Sequence, residues 1–135
     1  MKEEHGGGFG VGIENPYGQF FIGNSYLNQL TDPQKTINLC NVTFEPGCRN
    51  NWHIHHGTGY AQILICVDGE GWYQEEGKEP QSLKVGDVVC IPANVKHWHG
   101  AKKDGWFSHI AIECPMENGS NEWCEPVDDE YYYSL

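Results

Sequence analysis

A chain of 135 residues, 39% hydrophobic and 20% charged, can bury one sizeable core but not two. Its 17 glycines, 7 prolines and 13% aromatics favour strands and turns around a lined pocket over a helical bundle. A formal charge of −11 repels phosphate backbones and anionic lipid, which argues against nucleic acid and membrane as partners.

In chain order, residues 1–18 are glycine-rich and weakly patterned, and a loose segment is expected there. QFFIG (19–23) is a short strand, TDPQK (31–35) has turn chemistry, and INLCNVTF (37–44) is β-rich before the EPG turn (45–47). AQILICV (61–67) is apolar on both faces, as a strand inside a sandwich or barrel should be. DGEG (68–71) predicts a hairpin turn with WYQEE (72–76) as the returning strand. QSLKV (81–85), VVCIP (88–92), KHWHGA (96–101) and WFSHIAIE (106–113) continue the series, separated by GKEP, GD and KKDG turns. Strands of this length between glycine and proline turns define an all-β barrel or sandwich, a single domain over 19–115. Residues 116–135 break the pattern and predict an acidic arm or short helix.

Glu113, Glu117, Glu122, Glu125, Asp128, Asp129 and Glu130 crowd this end and read as a solvated tail. None of the six cysteines forms a C-x-x-C pair, and Cys40, Cys66 and Cys90 fall in apolar runs where a free cysteine serves as a small core residue. The opening MKEEHGGGFG has no apolar stretch, so a reduced, cytoplasmic protein is expected.

The chemistry is concentrated in histidines. On a strand, residues i and i+2 project to one face, so His53 and His55 point together, as do His97 and His99, with Ile54 and Trp98 turned away. Four buried imidazoles without partners would be costly, and a metal ion satisfies them. Hydrogen-bonded core histidines are the alternative reading.

These spacings resemble the cupins, small double-stranded β-helix proteins with a jelly-roll barrel. Gly47 is followed by CRNNW, then His53-Ile54-His55, Gln62 and Gly69; Gly86 is followed by DVVCI, Pro92 and His97. VTFEPG (42–47) followed by Arg49, GEGW (69–72), GDVV (86–89), KHWHGA and SHIAI (108–112) are similar to the small cupins grouped with carboxymuconolactone decarboxylases, which include hydroxynitrile lyases. The tail, with Trp123, Glu125, Val127, Asp129, Glu130 and Tyr132, shares that similarity. Two departures stand out. Glutamine replaces the usual motif glutamate, and it lies farther from His55 than is common, across Gly57 and Gly59.

The resemblance implies His53, His55, Gln62 and His97 as ligands of a divalent metal ion, with manganese favoured and zinc, iron or nickel possible. Such a neutral set leaves the ion's charge uncompensated. The Gln62 amide could equally serve a backbone group. The resemblance places His99 and His109 at the pocket as candidate acid–base groups, although His99 could instead support a ligand, and His109 could simply wall the pocket. Cys40 and Val42 are placed at the pocket in the same way, and Tyr60, by its strand parity with Gln62, could add a phenol. The implied activity is that of a metal-dependent enzyme acting on a small hydroxylated or carbonyl compound, with cyanohydrin or retro-aldol cleavage the most concrete form. Decarboxylation, isomerisation, dioxygenation and a non-catalytic binding module are the alternatives. A homodimer or tetramer is expected.

Overall fold

The computed structural model describes residues 2–135, and among them twelve strands and one α-helix follow in order. They are β1 (Ile13–Glu14), β2 (Phe21–Ile22), β3 (Ser25–Gln29), β4 (Leu39–Phe44), β5 (Arg49–Asn50) and β6 (His53–His56), then β7 (Tyr60–Glu75), β8 (Gln81–Lys84), β9 (Val88–Pro92), β10 (His97–Ala101), β11 (Phe107–Glu113), β12 (Ser120–Trp123) and α1 (Asp129–Tyr133). Every pairing is antiparallel. One wall runs β1-β3-β4-β11-β7-β9. The other runs β2-β5-β10-β7-β8, with β6 joining β10 to β12. This is an all-β barrel, as the strand spacing predicts, with the jelly-roll form that the resemblance implies.

β7 belongs to both walls. Residues 62–69 pair with β11, and residues 71–75 pair with β10. The hairpin expected at DGEG does not form. Gly69 adopts φ +65°, as its turn chemistry suggests, but just before it Val67 is bulged out of the ladder, which steps from Asp68–Ser108 to Cys66–His109. The bulge converts a reversal into a bend, and the strand carries on into the second wall.

Between the walls lies a core of Val42, Phe44, Leu64, Cys66, Val89, Ile91 and Phe107, alternate residues of their strands. Fully burying each large apolar side chain contributes about 1.5–3 kcal/mol. Cys90 is a correction to the expected core: the parity that turns Val89 and Ile91 inward leaves it exposed, while Cys48 is fully buried. All six cysteines are free. Among the described residues no helix is long and apolar enough to cross a membrane.

Both ends are anchored. The segment expected to be loose lies over the outer face of the first wall: the Asn41 side chain donates to the carbonyls of Gly6 and Gly10 at 3.0 and 2.9 Å, and His5 stacks on Trp106 with ring centres 4.2 Å apart. At the other end, β12 pairs residue for residue with β6, and α1 covers the outer face of the second wall. Trp98, turned away from its histidine neighbours, packs there with Val127 and Tyr132. The buried Arg49 guanidinium lies 4.2 Å from the Tyr132 ring centre and donates to the Val127 carbonyl at 2.8 Å. The acidic tail is therefore part of the folded domain, and its strand touches the histidines.

Candidate metal centre and cavity

Strand alternation turns His53 and His55 inward from β6, and the β6–β10 register sets His97 opposite His53. The His53 and His97 ring centres are 4.1 Å apart, and each lies 5.1 Å from that of His55. His53 Nδ1 meets the Asn51 carbonyl at 2.8 Å, and His97 Nδ1 meets the Val95 carbonyl at 2.9 Å. A carbonyl only accepts, so in both rings Nδ1 carries the proton and Nε2 presents a bare lone pair. His55 Nδ1 donates likewise to Asn121 Oδ1 at 2.7 Å. The Nε2 atoms of His55 and His97 are buried and have no protein partner. Three imidazoles with one nitrogen satisfied by a carbonyl oxygen and the other bare suit a cation held through Nε2. Burial pulls all three below the ordinary histidine value, His97 to about 4 and His53 well below, with repulsion from His97 adding to the effect at His53. They are neutral at pH 7, as metal ligation requires.

His99 lies close as well: its ligand atom and those of His53 and His97 are all within 4.8 Å of one another. Its nitrogens, however, have protein partners. Asn50 Oδ1 accepts from the His99 backbone N–H at 2.9 Å, and its Nδ2 lies against the His99 ring, 3.2 Å from Nε2 and 3.4 Å from Nδ1. His99 Nδ1 lies 3.2 Å from His109 Nε2. His99 Nδ1 and His109 Nε2 share one proton, which either ring can donate to the other. The two rings thus form a hydrogen-bonded pair beside the three-imidazole cluster. Burial lowers both, His109 to about 4, with His109 and the other histidines further lowering His99.

A cavity of about 210 Å³ opens in front of these groups. His53, His55, His99, His109, Gln62, Cys40 and Val42 all line it, with Phe21, Leu27, Ala111 and Trp123 as apolar walls. Among the described residues the Gln62 amide makes no hydrogen bond, so no backbone group claims it. Cys40 is a wall residue: its thiol donates to Gln29 Oε1 at 3.2 Å, and burial pushes its pKa up, so it stays protonated. Tyr60 is a correction. The β7–β9 register shifts between Tyr60 and Gln62, so the shared parity is lost, and Tyr60 is 58% exposed outside the cavity. His56 is also at the surface, against Glu122.

Several lining residues were missed in the sequence. Asn15 and Tyr17 come from the glycine-rich segment, and Asn121 and Trp123 from the tail; their partners are distant in sequence, and nothing local signals them. Asn50 sits three residues before His53 on a strand too short to show a pattern. Glu113 was legible, because it shares strand parity with His109 and Ala111. It lines this cavity and a neighbouring one of about 460 Å³ that shares Gln62, His55, Asn38 and Asn121.

Residues 40–112 match the Cupin domain family, and the chain belongs to it. Within it, the chain is 40% identical over 106 residues to a protein of Granulicella tundricola named (R)-mandelonitrile lyase, covering 78% of each chain. A cupin-like protein from Thermotoga maritima superimposes with a TM-score of 0.84 at 41% identity, covering 93% of this chain and 94% of that one. The DMSP lyase DddQ from Ruegeria pomeroyi shares the fold at 19% identity and a TM-score of 0.56, over 70% of this chain and 46% of that one.

Proposed function

We propose that the protein is a metal-dependent lyase that cleaves a small cyanohydrin, or a related hydroxylated compound, into a carbonyl compound and its carbon leaving group. The observation that carries this reading is the pairing of two unlike histidine groups at one cavity: three imidazoles with bare Nε2 lone pairs, and beside them two imidazoles hydrogen-bonded to each other. The relative named (R)-mandelonitrile lyase supports the same class of substrate.

His53, His55 and His97 would hold a divalent cation through Nε2, and Gln62 would offer its amide oxygen; manganese(II) is the proposed ion, with zinc(II), iron(II) and nickel(II) the alternatives, which imidazoles bind more tightly. Such an ion supplies a Lewis acid for the substrate oxygen. The His99–His109 pair handles the proton. Burial keeps both rings neutral at pH 7, so the pair can accept the hydroxyl proton as the carbon–carbon bond breaks and its electrons leave with cyanide. The same burial makes the imidazolium so formed a ready acid, and the proton passes to the departing cyanide. One proton is taken and one returned. Phe21, Leu27, Val42 and Trp123 exclude water and accept an apolar substituent.

The test is elemental analysis together with cyanide release from mandelonitrile by the metal-loaded protein. His53→Ala should lose the metal. His99→Ala should keep it and lose turnover by roughly 100-fold or more. A protein that holds metal but turns over no cyanohydrin or small carbonyl compound is a binding module, and the lyase reading falls.

A further inference from the structure

We propose that Glu113 selects ligands by charge, so that the cavity takes neutral α-hydroxy compounds and rejects their carboxylate counterparts; this rests on the lyase reading of the same cavity.

Glu113 is the last residue of β11, and alternation places it on the face of His109 and Ala111, along the cavity wall. In the ladder it stands directly opposite Gln62. Its carboxylate is held in place, since Asn38 Nδ2 donates to Oε2 at 2.8 Å. It lines both cavities beside His55 and Gln62, which also line both. Among the described residues it is the only acid lining either cavity, and no lysine or arginine lines them. The remaining polar groups there are amides, imidazoles, hydroxyls, two thiols and an indole, none of them a fixed cation. A ligand carboxylate entering this space would meet a fixed like charge and no counter-charge from the protein. A neutral nitrile, amide or aldehyde of the same shape meets no such repulsion. Because Glu113 is open to solvent, water and salt screen the effect, and its size is about fivefold in relative affinity rather than hundreds.

The experiment is calorimetric titration of the metal-loaded protein with an isosteric pair of probes, 2-hydroxy-2-phenylacetamide and 2-hydroxy-2-phenylacetate. The carboxylate has its own affinity for a cation, so the quantity read is the change in the amide-to-carboxylate affinity ratio between proteins. Glu113→Gln keeps the shape and an oxygen for Asn38 and should move the ratio about fivefold toward the carboxylate. Glu113→Asp keeps the charge and should stay within about twofold of the unsubstituted protein. Raising the salt concentration should narrow the difference between the unsubstituted protein and the Glu113→Gln variant. A ratio unchanged by Glu113→Gln, with both probes still binding, overturns the role of Glu113 and leaves the cavity reading standing. A shift of the same size in Glu113→Asp shows that shape rather than charge is responsible and overturns it equally. If neither probe binds the unsubstituted protein, the small-ligand reading of the cavity fails and the inference fails with it.

Discussion

The three ligand-candidate histidines differ in what holds them, and the difference can be measured at Asn121. His53 and His97 are locked by carbonyls of their own backbone, two residues upstream, which no substitution removes. His55 depends on a side chain, the Asn121 oxygen 2.7 Å from its Nδ1, delivered by β12 from the far end of the chain. Replacing Asn121 with leucine removes that acceptor and leaves the His55 N–H to find another. A buried donor left without a partner costs about 1–3 kcal/mol, and losing a group that orients a metal-bound histidine typically costs about 10–100-fold in metal affinity. Asn121 is itself exposed, so water can replace its oxygen in part, which points to the lower end. The expected loss is therefore about tenfold, or about 1.4 kcal/mol. Asn121→Asp, which keeps an acceptor and makes it a stronger one, should retain the affinity. Competition for manganese(II) or zinc(II) against a chromogenic chelator measures both variants, with far-ultraviolet circular dichroism as a control on folding. An Asn121→Leu protein that folds and binds within about twofold of the original would show that His55 needs no orienting partner, and the assignment of His55 would go with it.

Two further outcomes test the fold and its charge balance. Gly69→Ala places a methyl group 1.8 Å from the Trp106 carbonyl oxygen at a left-handed φ of +65°, so the bend joining the two walls must deform; urea unfolding should register a loss of about 3 kcal/mol or more, and a loss below about 1 kcal/mol would refute the bend as the reason for glycine. His109 is held at about 4 by burial against 6.5 in the unfolded chain. Below pH 6.5 the unfolded state therefore takes up a proton that the folded state refuses. Stability is complete above that pH and is lost as the pH falls towards 4, by about 3 kcal/mol from this group in the metal-free protein. His109→Gln should flatten the fall between pH 6.5 and 4 by up to one proton's slope, and an identical slope in both proteins would show that His109 titrates normally when folded.

Much of the barrel was legible because strand alternation and turn chemistry are local signals. Alternation alone placed His53 with His55, His97 with His99, and Ile54 and Trp98 on the opposite faces. The same rule failed at Tyr60, where a register shift after Gly59 breaks the parity it assumes. It failed again at DGEG, where a bulge at Val67 of the same strand turned a hairpin into a bend. Parity would have found Glu113 had the acidic residues not been grouped by composition. Asn121, Trp123 and Tyr17 left no local trace, since a glycine-rich start and an acidic end look alike whether they hang free or are folded against a sheet.

What the sequence determined by itself is the chemistry available and the side of each strand on which it lies, because a period of two is a property of the backbone and needs no partner. What only the tertiary structure decided is which groups meet: the register that sets His97 opposite His53, the hydrogen bond that ties His99 to His109, and the tail strand that secures His55. Those are contacts between segments distant in the chain, made only when the two walls close. A hydrogen bond's direction is set by the atom across from it, and the order of residues along the chain does not name that atom.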